Sequence, residues 1–423
     1  MRNLRLLAAL PAAGWGALIM ATALTTAPAA AEPPSTAESR ALAQRMSQLG
    51  SESLSRLAGR RGDSTVVVSP YGLGSALHLL LLGAAGSAEK SLQAKLLPPS
   101  VEVGKQDAGL TVLEQHVRAA GTDKVRLTLS NAVFVPRSAD PAKRSQRFVA
   151  RARDIFAAPI ELLDFRSPSA LERINAWANR ATNGLVPRVL DDLDADARFV
   201  LANAVTFNGA WETAFDAVRT VKAPFTRVDG STREVAMMAA TVPAAFAEVD
   251  NLQAVWLPYD GKDIAMLIVV PGAQQPPGAM AELLKRRTLT DLVGALDQRR
   301  RMAAVHVRLP RFRAESKLEL TDTLSEQGLK AALDAAANYN AINPAGNGPL
   351  HVVHRAVVEV GEAGTTAAAA TAIVADRSLA VTPALSADRP FAFAIVHALT
   401  QAILFAGYVA DPGGAPADAK TVR

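Results

Sequence analysis

The chain of 423 residues contains no cysteine. That excludes a thiol nucleophile, a disulfide, a Cys-ligated zinc or iron–sulfur centre and a lipidated thiol, so stability has to come from packing. Histidine is scarce, with six in all. No H-E-x-x-H occurs, and His351 and His354, three apart in a strand-like run, face opposite sides and cannot chelate one ion. A G-x-S-x-G elbow is also missing: Gly72-Leu73-Gly74-Ser75 has the wrong order, and Ser75 reads as a helix-start residue. Gly361-x-x-Gly364-Thr365 lacks the lysine of a phosphate loop. These absences do not support an enzyme, and neither metal nor cofactor is expected.

What is present is a large supply of apolar side chains, 49% of the sequence, enough for an extensive core. The N-terminus has Arg2 and Arg5, an apolar stretch from Leu6 to Leu24 and then Ala29-Ala30-Ala31, the pattern of a secretory signal over residues 1–31. An uncleaved anchor is the alternative, since that stretch approaches the ~20 residues a span needs. Removing residues 1–31 takes away those two arginines and changes the formal charge from +5 to +3. The other basic residues are dispersed, apart from Lys285-Arg286-Arg287 and Arg299-Arg300-Arg301, each read as a solvated helix face. Neither nucleic acid nor, once the signal is removed, a membrane is expected as a partner.

After a linker at 32–38, residues from Thr36 or Ser39 onward read as an N-terminal helix. β-rich runs follow at 65–70, 125–135, 199–207, 264–271, 304–310, 351–360, 390–397 and 402–409, with helical segments between them and the last two forming a hairpin. No repeat period and no Pro/Ser-rich linker divides the chain. One α+β domain over residues 39–412 is expected, with a small polar tail at 413–423.

One run resists assignment. EVGEAGTTAAAATAIVADRS, from Glu359 to Ser378, mixes the best helix formers with flanking β-branched residues. A segment able to live as a loop in one state and a strand in another has this character. Several motifs together resemble the serpins, the serine protease inhibitor family: VVVSPYGLGSALHLLLLGAAG, LSNAVFV, INAWANRATNG, FVLANAVTFNGAWETAF, VWLPYDGKDIAMLIVVP, VRLPRFRAESKLELTDTLSEQG, VVHRAVVEVGEAGTTAAAATA and DRPFAFAIVHALTQAILFAGYVADP. They run in family order over the whole expected domain.

The resemblance implies the serpin fold: a large central β-sheet, two further sheets, about eight or nine helices and an exposed reactive-centre loop at about 362–386. It implies an inhibitor that acts as a suicide substrate, without catalytic residues of its own, whose loop is cut by a protease and then inserts into the sheet. The hinge would be Glu362, Gly364, Thr365, Thr366, Ala367, Ala368, Ala369 and Ala370; by period two, Thr365, Ala367, Ala369 and Thr371 share a face, and all are small and uncharged. Arg377-Ser378 is the favoured reactive bond, offering trypsin-like proteases a cation, with Ser378-Leu379 as the alternative. By the same resemblance Ser69, Asn203 and His354 match a polar cluster under the sheet centre, and Trp211, Arg311 and Glu362 match its top, where Arg311 and Glu362 are positioned to pair. Ala363, Thr366 and Asn208 depart from the family's usual charged residues. A monomer is expected, without glycosaminoglycan binding; a non-inhibitory binding or chaperone role is the alternative function.

Overall fold

The structure, a computed structural model, describes residues 34–60, 62–138, 145–344, 348–365 and 382–413. The expected signal, hinge residues Thr366, Ala367, Ala368, Ala369 and Ala370, the reactive-bond residues Arg377, Ser378 and Leu379, and the tail beyond 413 lie outside the described residues.

Helix α1 (Pro34–Arg60) leads into the short strand β1 (Val66–Val68) and helix α2 (Pro70–Gly83). The switch from strand to helix is set by Ser69 and Pro70. Ser69 caps α2 by accepting the Gly72 N–H, and Pro70 enters the first turn with its φ already fixed. Ser75, expected at a helix start, therefore sits inside α2, nearly two turns beyond the true cap.

Helices α3 (Ser87–Leu96) and α4 (Gln106–Ala119) follow, then strand β2 (Val125–Pro136), α5 (Gln146–Phe156), β3 (Ile160–Leu163) and α6 (Pro168–Ala181). Strand β4 (Phe199–Ala210) is succeeded by β5 (Val221–Thr226), β6 (Thr232–Val249), β7 (Leu252–Pro258) and β8 (Ile264–Pro271). Helices α7 (Ala279–Arg286) and α8 (Leu289–Asp297) precede β9 (Arg301–Pro310) and β10 (Phe312–Glu319). After a short helical run come β11 (Leu350–Val360), β12 (Gly364–Thr365), β13 (Ala384–Ser386) and the hairpin β14 (Phe391–His397) and β15 (Ile403–Val409). Lys285 and Arg286 end α7 and are exposed, as expected. Arg299-Arg300-Arg301 is not on a helix: the chain turns after α8, and Arg301 already pairs with Phe246 as the first residue of β9.

Among the described residues the strands form two hydrogen-bonded sheets. The central, six-stranded sheet runs β10-β11-β4-β2-β3, with β12 added against β4. The other is nine-stranded, because the 18-residue β6 pairs with β5 at its start, with β9 along its middle and with β7 at its end, joining the two further sheets into one.

Strand β4 decides where the cores lie. Phe199, Leu201, Val205 and Phe207 pack into the main core under α1 and α2, whereas Val200, Ala202 and Ala204 pack into a second core under α6 with Ile174 and Trp177. A strand buried on both faces reads as a continuous apolar run, as FVLANAVTF does. Its neighbour β11 is parallel to it, paired from Leu350 opposite Phe199 to Val357 opposite Thr206. The other neighbours, β10 on β11 and β2 on β4, are antiparallel.

Candidate functional site: the seam between β4 and β11

The eight-pair parallel ladder between β4 and β11 is a seam, and two features converge on it. Under its centre the alternation of β4 and β11 directs Asn203 and His354, which are register partners, towards the N-terminus of α2. The Ser69 N–H donates to His354 Nε2 at 2.9 Å, so that nitrogen carries no proton and Nδ1–H donates to Asn203 Oδ1 at 2.7 Å. Asn203 Nδ2 donates to Asn131 Oδ1 at 2.8 Å, and Asn131 Nδ2 to Ser75 Oγ at 3.1 Å. Ser75 ends the relay on Glu114 at 3.2 Å, and Arg118 pairs with that carboxylate. Ser69 Oγ also donates to the Leu404 carbonyl at 2.6 Å. Burial pushes the His354 imidazole down to about 3, which keeps it neutral in this role.

The chain makes this cluster by close approach. A Cβ on Gly72 would lie 2.6 Å from Val205 Cγ2 and 2.8 Å from Asn203 Oδ1, so only glycine lets the first turn of α2 settle on β4.

At the top of the seam β11 ends in a tight turn. Gly361 and Gly364 bridge, and β12 then pairs antiparallel with β4, Gly364 opposite Ala210 and Thr365 opposite Gly209. Gly364 has φ +142°, and a Cβ there would sit 2.0 Å from the Gly209 carbonyl oxygen, so glycine is obligatory. Thr365, expected in an exposed loop, is instead fully buried, with its hydroxyl 2.7 Å from Tyr259 Oη. Tyr259 stacks on Trp211 at 4.5 Å and meets Phe207 edge-on at 4.7 Å. Trp211 Nε1 donates to the Gly361 carbonyl at 3.0 Å. Arg311 pairs with Glu362 at 2.5 Å, and Thr220 donates to the same carboxylate at 2.5 Å. Burial pushes the Glu362 carboxyl up, but the hydrogen bonds from Arg311 and Thr220 and the arginine charge outweigh it and hold the group below the usual range. Ala363 contributes through its carbonyl, which accepts the Trp211 N–H at 3.0 Å, a contact indifferent to the side chain there.

A central sheet whose parallel seam is entered from the top by the start of a small-residue run fits the family that the sequence resembles. The sequence model described as Serpin (serine protease inhibitor) matches residues 44–412. This chain is a serpin. Glia-derived nexin of Homo sapiens is 32% identical over 383 residues, covering 86% of this serpin and 92% of that protein. Leukocyte elastase inhibitor of Bos taurus is 31% identical over 361 residues, covering 82% and 93%. Among solved structures, native protease nexin-1 with heparin superposes with a TM-score of 0.77 at 29% identity, over 88% of this serpin and all of that chain. The thermophilic serpin tengpin in its native state gives a TM-score of 0.74 at 22% identity, over 86% and 94%, a likeness of fold.

The structure thus brings Ser69, Asn203 and His354 into one network and Trp211, Arg311, Glu362 and Gly364 into another. Sequence reasoning missed Tyr259 and Thr220 at the top and Asn131, Ser75 and Glu114 below. A signal for Asn131 was present: LSNAVFV and FVLANAVTF each break an apolar strand with one asparagine, and the two residues are register partners.

Proposed function

We propose that this serpin is a suicide-substrate inhibitor of trypsin-like serine proteases, cut between Arg377 and Ser378 and trapping the acyl-enzyme by drawing the cleaved loop into the seam between β4 and β11. One observation carries the reading. Counted from Gly364, which pairs with the last residue of β4, twelve uncharged residues run to Ala375 before Asp376, and β4 is also twelve residues long. The first two are already in register on β4. Continued, that register sets Ala375 opposite Phe199 and fills the strand from end to end.

The face assignments of this register are compatible with the cores. Residues opposite each other in an antiparallel pair share a face, so Ala367, Ala369 and Thr371 fall on the side of Phe207, Val205 and Asn203. Thr371 is then the polar residue that reaches the Asn203 and His354 cluster. On the other face Ala370 falls opposite Ala204, beside Arg355, whose guanidinium is paired with Glu315, and an alanine there adds neither charge nor bulk. Insertion also replaces one parallel ladder with two antiparallel ones, the more stable pairing per residue. The serpin supplies stored free energy rather than catalysis; the protease's own serine attacks the carbonyl of Arg377, and displacement of the acyl-enzyme forestalls hydrolysis. Export through residues 1–31 belongs to the same proposal.

The test is to incubate the mature protein with trypsin, run a denaturing gel and weigh the released C-terminal peptide. A boiling-stable complex with a peptide beginning at Ser378 is expected. A peptide beginning at Leu379 would move the reactive bond by one residue and point to elastase-like or chymotrypsin-like enzymes. Cleavage with no complex would overturn inhibition and leave a serpin-fold binding protein.

A further inference from the structure

Below the polar cluster, the segment between α6 and β4 crosses the seam. Val186, Val189 and Leu190 pack on Val353 and Val357 of β11 as well as on Val200, Ala202 and Ala204 of β4, so one strap covers both edges. Asn175 ties it to α6, accepting the Val189 and Leu190 N–H groups at 2.8 and 3.0 Å. Its far side is tied to the opposite edge by charge. Lys317 on β10, with its side chain 13% exposed, pairs with Asp191, and His351 on β11 stands between Asp194 of the strap, at 4.0 Å, and Glu319 of β10, at 3.5 Å. A cavity of about 280 Å³ lies among these groups, between the strap and the sheet.

Resting on the insertion mechanism proposed above, we infer that Lys317 and His351 are positioning residues of the insertion step: they latch the strap across the lower seam, and His351 makes the latch tighter in acid. The incoming strand has to part β11 from β4 beneath the strap, so both ion pairs must stretch before residues 370–375 can pass. The groups facing His351 are Glu319 and Lys317 from β10 and Asp192 and Asp194 from the strap, a set in which carboxylates predominate. The hydrogen bond with Glu319, and the charges of Glu319, Asp194 and Asp192, raise the His351 pKa above its ordinary value against the opposing effect of burial. His351 therefore binds a proton more readily than an ordinary histidine, and protonation converts its 4.0 Å approach to Asp194 into an ion pair across the seam.

The experiment compares wild-type protein, His351→Gln, Asp194→Asn and Lys317→Met with trypsin from pH 6 to 8.5, reading the fraction of protease trapped against the fraction of serpin turned over. Variants are compared at each pH, so the protease's own pH response cancels. A partly exposed ion pair contributes up to about 1 kcal/mol, which corresponds to up to about fivefold in a rate. Trapping by the wild type is expected to worsen by up to about that factor towards pH 6 relative to His351→Gln and Asp194→Asn, with all three converging at pH 8.5. Lys317→Met is expected to trap better at every pH while keeping the wild-type slope. The same slope in His351→Gln and Asp194→Asn as in the wild type would overturn the inference while leaving inhibition intact. No complex at any pH in any protein would instead overturn the proposed function.

Discussion

Thr365→Arg separates loop insertion from everything else the fold does. In the uncleaved molecule Thr365 is one of two residues in β12, buried against Gly209 and Tyr259. An arginine there has no anion to meet, because the nearby Glu362 is already held by Arg311 and Thr220. In the native state the side chain can leave the sheet, giving up two ladder pairs and the Tyr259 contact, and the unfolding temperature should fall by only a few degrees. After cleavage that escape is closed, since the strand cannot zip downward without passing through Gly209. Burying the unpaired guanidinium costs roughly 3 kcal/mol or more, which slows insertion more than about 100-fold. Hydrolysis of the acyl-enzyme then wins, and the variant becomes a substrate. The assay is titration of trypsin with the variant on a denaturing gel, with Thr365→Val as control. That near-isosteric change leaves Tyr259 Oη unpaired before and after cleavage alike, so it should lower native stability by about 1–3 kcal/mol while leaving insertion and complex formation close to wild type. Stoichiometric, boiling-stable complex with Thr365→Arg would refute the reasoning.

Three further outcomes are expected. Gly72→Ala drives a methyl into Val205 and Asn203, and overpacking of this kind destabilises by about 1–3 kcal/mol, measurable as a lower urea midpoint with an unchanged slope. Asn203→Ala leaves the His354 Nδ1–H without an acceptor and Asn131 Oδ1 without its donor; a loss of about 2–3 kcal/mol is expected, with earlier spontaneous sheet opening on mild heating detectable as lost inhibitory titre. Acid should also destabilise the native state. Burial pushes His78 down to about 4 and His354 to about 3, while the unfolded chain takes up those protons from about pH 6.5 downward. Below pH 6.5 the unfolded state therefore binds more protons, and stability falls by about 2 kcal/mol per histidine by pH 5. His78→Leu should flatten about half of that loss in unfolding followed between pH 7.5 and 5, and an unchanged slope would exclude His78 as a source.

The fold was legible because long apolar strands and capped helices are local signals. The runs beginning at 125, 199, 264, 351, 390 and 402 all became strands, and β4 and β9 were longer than their expected runs. β6 was not legible: TREVAMMAATVPAAFAEV is rich in good helix formers, and it is extended because β5, β7 and β9 flank it and bury alternate residues. The position of Ser75 was misplaced because the Ser-Pro cap nearly two turns earlier is the stronger helix start. Tyr259 and Thr220 had no local mark at all.

By itself the sequence determined the family, the order of strands and helices, the absence of thiol chemistry and an uncharged run of the right composition to become a strand. Those follow from side-chain type and spacing, which need no partner to be read. Only the tertiary structure decided that Thr365 already lies in the sheet, that Gly364 and Thr365 start a register on the twelve-residue β4, that five polar side chains from five elements form one relay, and that a charged strap crosses the seam. Each of these is a distance between residues far apart in the chain, set by β4 being buried on both faces and by glycines that allow α2 and β12 to approach it.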